Sequence, residues 1–341
     1  MLVLTMSATT PAPGSVRVAA IDCGTNSIRL LVADVDLERQ TLTDLTRTMT
    51  VVRLGQGVDR TGRFDPEALA RTLAVTREHA ATVAALEASR VRFVATSATR
   101  DASNRDEFVA GVREALGVDP EVISGEEEAA LSFRGATGAL GARFPGPYLV
   151  VDLGGGSTEA VLGGAGGGTT PEAAYSMDVG CVRLTERHLR SDPPAAEEVA
   201  AATADVRAAL DHAARTVPFG ETATLVGVAG SITTITAHAL GLPAYDRDAI
   251  DGAVLGVDDV LRAADDLLAR DREQRAALGF MHPGRVDVIG AGALVWREVV
   301  ERVRADVAAA GRDLTSVVTS EHDILDGIAW SLADPARGDG A

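Results

Sequence analysis

The sequence predicts an α/β protein made of two similar domains around a central cleft, and three observations carry that prediction. The phrase Ile21-Asp22-Cys23-Gly24-Thr25-Asn26-Ser27 returns as Val151-Asp152-Leu153-Gly154-Gly155-Gly156-Ser157, with Asp, Gly and Ser at the same spacing. Each copy lies between two apolar runs, which makes it the turn of a β-hairpin. The order of elements also repeats, and 341 residues is long for one core.

In the first half the hairpin strands precede a Thr- and Val-rich strand at 41–52. A long helix at 65–88 opens on Asp65 and Pro66, a cap followed by a proline in the first turn. A strand at 91–96, a helix at 104–116, a short strand at 121–123 and a helix at 125–138 complete this half. The second half reads as strands at 148–152, 158–162 and 172–179, helices at 183–190 and 195–215, and a buried strand at 222–228. Extra helices fill 255–310, ahead of a last strand at 314–319 and a last helix near 322–332. The glycine-rich stretch 163–168 reads as a hairpin tip, and the only linker candidate is 135–146. The expected domains are 16–135 and 136–334, with tails at 1–15 and 335–341.

The two hairpin turns are stripped of bulk. Gly24, Thr25, Asn26 and Ser27 in one, and Gly154, Gly155, Gly156, Ser157 and Thr158 in the other, let backbone N–H groups and hydroxyls approach a phosphate. Asp22 and Asp152, at the ends of the first strands, are placed to orient a divalent cation or a water. Two facing hairpins would clamp a phosphate chain and its metal. Ser124-Gly125-Glu126-Glu127-Glu128-Ala129 opens the helix between the halves. Carboxylates in a first helical turn are ordinary helix-dipole chemistry, but adjacent ones point in different directions, so one or two can face the cleft and activate water. Spacing alone leaves Glu127 and Glu128 both open. Ala95-Thr96-Ser97-Ala98-Thr99-Arg100 ends a strand with hydroxyls and an arginine suited to fork onto phosphate oxygens. Gly227-Val228-Ala229-Gly230-Ser231-Ile232-Thr233-Thr234 is a third glycine–hydroxyl turn, leading into a helix. The six histidines are scattered without metal-ligand spacing, and no nucleophile–His–acid arrangement is present.

The net charge is −17 and every basic residue is arginine. That field repels polyanions, which argues against nucleic acid as a partner and requires local arginines wherever a phosphate chain binds. No run approaches the length needed to cross a bilayer, and residues 1–15 lack the basic segment of a signal peptide, so no membrane partner is expected. Cys23 and Cys181 have no metal or redox spacing, and a reducing, cytoplasmic setting suits them. A homodimer is expected.

These phrases, together with Val179-Gly180-Cys181-Val182-Arg183-Leu184-Thr185-Glu186, Arg285-Val286-Asp287-Val288-Ile289-Gly290-Ala291-Gly292 and Ser320-Glu321-His322-Asp323-Ile324-Leu325-Asp326-Gly327, resemble the exopolyphosphatase / guanosine pentaphosphate phosphohydrolase family in its short, two-domain form. They occur in the family's order and span roughly 16–332. The resemblance implies the duplicated actin-like ATPase (ribonuclease H-like) fold. It implies dependence on Mg²⁺ (or Mn²⁺) and hydrolysis of a terminal phosphate by activated water. The substrate would be inorganic polyphosphate, with guanosine pentaphosphate as the alternative. It puts the catalytic base on Glu128, metal- or water-orienting acids on Asp152 and Glu159, and a phosphate-binding arginine on Arg100; Arg183, within the phrase from Val179 to Glu186, and Arg29, beside the first turn, are further candidates for the same local patch. Two rivals share the fold: an ATP-dependent small-molecule kinase, whose adenine pocket would fall at Gly227 to Thr234, and a nucleotide-gated scaffold, which need not keep Glu128.

Overall fold

The computed structural model describes residues 10–166 and 168–334. The chain divides into two compact units, one running to Ile123 and resuming at Leu325, the other Ser124–Ile324. The expected tail 335–341, and most of the one at 1–15, lie outside the described residues, as does Gly167 in the expected hairpin tip.

The first unit contains strands β1 (Val16–Cys23), β2 (Ser27–Asp36), β3 (Thr41–Val51), β4 (Arg90–Ala95) and β5 (Glu121–Val122). Its helices are α1 (Val58–Thr61), α2 (Pro66–Ala85), α3 (Ser97–Asp101) and α4 (Arg105–Leu116). The sheet order is β3-β2-β1-β4-β5, antiparallel through the hairpins and parallel from β1 to β4 and β4 to β5. β1 is buried along nearly its whole length, as a central strand covered on both faces must be. Asp65 caps α2 as the sequence indicates, accepting from the N–H groups of Glu67 and Ala68 at 3.0 Å each, a cap worth about 1 kcal/mol. Phe93 on β4 and Phe64 both meet Phe108 of α4 at ring separations of 5.9 and 5.8 Å, closing the core.

The second unit begins with α5 (Gly125–Leu140), followed by β6 (Tyr148–Leu153), β7 (Thr158–Gly163) and β8 (Pro171–Met177). Then come α6 (Cys181–Arg187), α7 (Ala196–Ala213), β9 (Thr224–Val228), α8 (Ala229–Ala239), α9 (Arg247–Ile250) and β10 (Val254–Gly256). The unit closes with α10 (Val257–Ala269), α11 (Arg272–Ala276), α12 (Ile289–Ala309) and β11 (Ser316–Thr319), ahead of α13 (Ile324–Ala333). Its sheet runs β10-β11-β9-β6-β7-β8. From the β8 edge the order β8-β7-β6-β9-β11 repeats β3-β2-β1-β4-β5, with the same parallel and antiparallel pairs. The two units are copies of one actin-like (ribonuclease H-like) fold, and β10 is an added edge strand that the sequence reading lacks.

The domain bounds differ from those read in the sequence at two helices. α5, expected to close the first domain, packs through Phe133, Ala136 and Leu140 on Tyr148, Val150 and Val161 of the second sheet. α13, expected in the second domain, is bound to the first unit. Arg47 pairs with the buried Asp326 at 2.6 Å, and the buried Arg92 donates to Ser331 Oγ at 2.9 Å. Asp326 supplies Arg47 with a buried counter-charge, and Ser331 adds a hydrogen bond to the Arg92–Glu121 ion pair. Among the described residues no helix is long and apolar enough to cross a membrane.

Candidate active site

The two hairpin turns close in the same way. Gly24 N–H donates to Ser27 O at 3.0 Å, and Gly154 N–H donates to Ser157 O at 3.0 Å. In each unit the segment after the third strand then braces the turn from outside. Val52 and Arg53 donate their N–H groups to Asn26 O at 3.0 and 2.9 Å, and Gly55 N–H donates to Thr25 O at 2.8 Å. In the second unit Cys181 N–H donates to Gly154 O at 3.0 Å, while Val182 and Arg183 donate to Gly155 O at 2.9 and 3.1 Å. Arg183 adds its Nε to Gly156 O at 2.7 Å. The carbonyls of both turns are thereby turned toward the braces.

Not every hydroxyl of these turns faces outward. Thr158 is fully buried and donates to Val179 O at 2.7 Å, so its side chain ties β7 to the segment after β8 instead of meeting a phosphate. Thr25 Oγ1 lies 3.0 Å from Ser97 Oγ, joining the first turn to the start of α3, the segment that the sequence suggests as a phosphate grip. Arg100, in the last turn of α3, is half-buried and donates from Nη1 to Ile123 O at 3.0 Å.

The copies diverge at one rung. Asp22 pairs in register with Arg29, and the equivalent position opposite Asp152 is Glu159. In the first unit the rung is an ion pair, with Arg29 Nη2 and Nε at 2.7 and 2.9 Å from Asp22 Oδ2. Asp22, expected as a metal ligand, is thus neutralised by its own hairpin. In the second unit the rung is two acids, both buried. Like charges facing across a sheet are unfavourable. Burial, then the charges of Glu128 and Asp152, push the Glu159 carboxyl well above its usual range, against hydrogen bonds from Ser176 and Ser157.

Glu128 joins this pair from α5. Ser124 caps the helix by accepting from Glu127 N–H at 3.2 Å. Of the three glutamates that follow, Glu126 is exposed, Glu127 half-buried and Glu128 buried. Ser132, one turn on, donates to Asp152 Oδ2 at 2.6 Å, and Ser176 on β8 donates to Glu159 Oε1 at 2.7 Å. The second unit therefore gathers Glu128, Asp152, Glu159, the turn from Gly154 to Ser157, and Arg183, while Asp22, the turn from Gly24 to Ser27, and Arg100 belong to the first.

Asp152 and Glu159 fit a hard divalent cation: both offer oxygen, both are buried, and their mutual repulsion is what a cation relieves. Among the described residues no group of three or more His, Cys, Asp or Glu side chains could hold a metal ion unaided. A cation here would complete its shell with water and phosphate oxygens, as Mg²⁺ commonly does.

The sequence reading missed both serines and the Asp22–Arg29 pair. A signal for the pair was present: carrying the alignment of Asp22 on Asp152 along the hairpin sets Arg29 against Glu159. The third glycine–hydroxyl turn is filled by the protein itself. Arg285 lies so close to Gly230 that a Cβ there would stand 2.2 Å from its Nη2, and Thr233 Oγ1 accepts from Tyr245 at 2.7 Å.

The Ppx/GppA phosphatase family model matches residues 31–314. "Exopolyphosphatase 2" of Mycobacterium tuberculosis is 53% identical over 324 residues, covering 93% of this chain and 98% of that protein. The crystal structure of an exopolyphosphatase-like protein superposes with a TM-score of 0.91 at 48% identity, covering 94% of this chain and 98% of that one. A Ppx/GppA family member from Aquifex aeolicus superposes with a TM-score of 0.75 at 28% identity, covering 96% of this chain and all of the other (100%).

Proposed function

The chain belongs to the Ppx/GppA phosphatase family, and from that membership we propose that it is an exopolyphosphatase, releasing terminal orthophosphate from inorganic polyphosphate. The observation that carries the reading is the rung at which the two hairpins part. Asp22–Arg29 is an ion pair, whereas Asp152–Glu159 is a buried pair of acids whose joint ionisation is costly and which a cation and its phosphate ligands would complete.

Glu128 is the general base. It is the buried member of its triplet, and its charge is felt at Glu159. It takes a proton from water as the water oxygen bonds to the terminal phosphorus. The anhydride P–O bond breaks, and the shortened chain leaves with the bond's electron pair. Asp152 and Glu159 would hold Mg²⁺ or Mn²⁺, which when bound supplies positive charge against the phosphate oxygens. The braced turn from Gly154 to Ser157 offers backbone donors fixed before substrate arrives, so little reorganisation is left for the reaction. Arg183 keeps that turn in shape, and Arg100 grips the chain. The unpaired, buried Cys23 and Cys181 support a reducing, cytoplasmic setting.

The test is phosphate release from polyphosphate, guanosine pentaphosphate and ATP, side by side, with Mg²⁺ titrated. The highest kcat/KM is expected on polyphosphate, with release abolished by excess chelator. Faster release from guanosine pentaphosphate would move the assignment to the nucleotide, and full activity in chelator would remove the cation.

A further inference from the structure

The two carboxylates of the rung are not held by the sheet alone. Ser132 is fully buried, and its hydroxyl donates to Asp152 Oδ2 at 2.6 Å. Ser176 stands opposite Glu159 in the β7–β8 register, and its hydroxyl donates to Glu159 Oε1 at 2.7 Å. Both distances are those of well-formed O–H···O hydrogen bonds. Asp152 thus has Ser132 from α5, and Glu159 has Ser176 from β8 in addition to Ser157 of its own turn.

A third position explains how α5 comes so near. Gly125, its first residue, lies against Ser176: a Cβ there would stand 2.5 Å from Ser176 Cβ and 2.8 Å from its Oγ. Gly125, Glu128 and Ser132 follow at spacings of three and four, which sets them along one face of the helix. From that face the helix meets Ser176 through bare backbone, sets the charge of Glu128 beside Glu159, and bonds Asp152 through Ser132.

We propose that Ser132 and Ser176 are positioning residues for phosphoryl transfer. Each fixes the orientation of one carboxylate, so that the Asp152–Glu159 pair presents its oxygens in one arrangement, with Gly125 as the spacer that lets the base-bearing helix close on it. The inference rests on the assignment of the reaction to this rung. A carboxylate on a freely turning side chain would have to be ordered at each turnover, and partners of this kind typically contribute about 10–100-fold in metal affinity or activity.

The experiment compares wild type with Ser132→Ala, Ser176→Ala and Ser176→Thr. Steady-state phosphate release from polyphosphate separates kcat from KM, and Mn²⁺ binding without substrate is read by electron paramagnetic resonance. Both alanine variants should lose kcat by about 10–100-fold and bind Mn²⁺ more weakly by a similar factor. KM should stay within about twofold, because each hydroxyl acts through the carboxylate it donates to. Ser176→Thr keeps the hydroxyl and should recover most of the loss. Unchanged kcat in the alanine variants, a KM that rises as kcat falls, or a threonine variant no better than alanine would overturn the positioning role. If wild type bound no Mn²⁺ while the kcat loss and its rescue persisted, the cation assignment would fall and the positioning role would stand.

Discussion

Glu159 is buried beside two other acids, and both burial and their charges hold its proton affinity high. Below about pH 4.5, the ordinary value for glutamate, folded and unfolded chains both carry the proton and nothing is gained or lost. As pH rises, the unfolded chain ionises first, so the folded state is progressively disfavoured. Glu159→Gln should therefore raise Tm at pH 7 in chelator, with the gain vanishing toward pH 4, while the Mg²⁺ concentration for half-maximal activity rises about 10-fold or more. Asp152→Asn should raise the Mg²⁺ requirement likewise. A Glu159→Gln protein less stable than wild type in chelator would mean that the rung is not repulsive. His79 makes the opposite case in the first unit. It is buried on α2, its Nδ1 has no hydrogen-bond partner, and burial lowers its pKa from 6.5 to about 4. Stability is then full above pH 6.5 and is lost as pH falls toward 4, by about 3 kcal/mol across that window. His79→Leu should flatten this loss, read as urea midpoints at pH 7 and pH 4.5, and an equal loss in the variant would contradict it.

Among the elements, the braces behind the two hairpin turns decide whether those turns keep their shape. Gly180 sits against the second turn so tightly that a Cβ would stand 2.5 Å from Gly155 O. At Gly55, behind the first turn, the nearest obstacle is the Thr25 side chain, 2.2 Å from Cγ2. Backbone cannot give way as a methyl can. Gly180→Ala should thus cost about 1–3 kcal/mol of stability and most of the activity, and Gly55→Ala less of both. Denaturant midpoints and kcat measured together test this, and equal effects would show that the turns are not held as described. The hairpins themselves were legible, because apolar runs around Asp-x-Gly-x-x-Ser fix both period and turn. The braces were not, since a bond from Val182 N–H to Gly155 O has no local pattern. α3 hid in a run of small hydroxyl residues that reads equally as a loop, and β10 is three residues long, too short for alternation to show. α5 and α13 changed units because helix patterns give the apolar face and not the sheet it covers.

For the molecule as a whole, a net charge of −17 means that a phosphate chain is repelled everywhere except where arginines are gathered. Arg100→Ala should raise KM for polyphosphate by about 10-fold, the worth of one charge-assisted hydrogen bond, with Arg100→Lys recovering part of it. Exposed arginines on α2 look interchangeable as controls in the sequence, but the structure separates them. Arg71 donates to Val52 O at 3.0 Å and so supports the brace of the first turn, whereas Arg77 is exposed. Arg77→Ala is the proper control, and a loss there equal to that of Arg100→Ala would mean diffuse binding. Duplication was readable because both copies keep Asp, Gly and Ser. Their chemical difference, Arg29 against Glu159, becomes visible only once the copies are aligned along the strand.

On the proposed mechanism, water attack is driven from the acidic rung of the second unit with Glu128 as base. Its most direct test is kcat for phosphate release from polyphosphate by Glu128→Gln at saturating Mg²⁺, with substrate binding followed in parallel and Glu126→Gln, altered at an exposed neighbour, alongside. Glu128→Gln should fall by about 10²–10⁴-fold with binding retained, and Glu126→Gln should stay near wild type. A Glu128→Gln enzyme turning over at close to the wild-type rate, or equal losses in both variants, would contradict it.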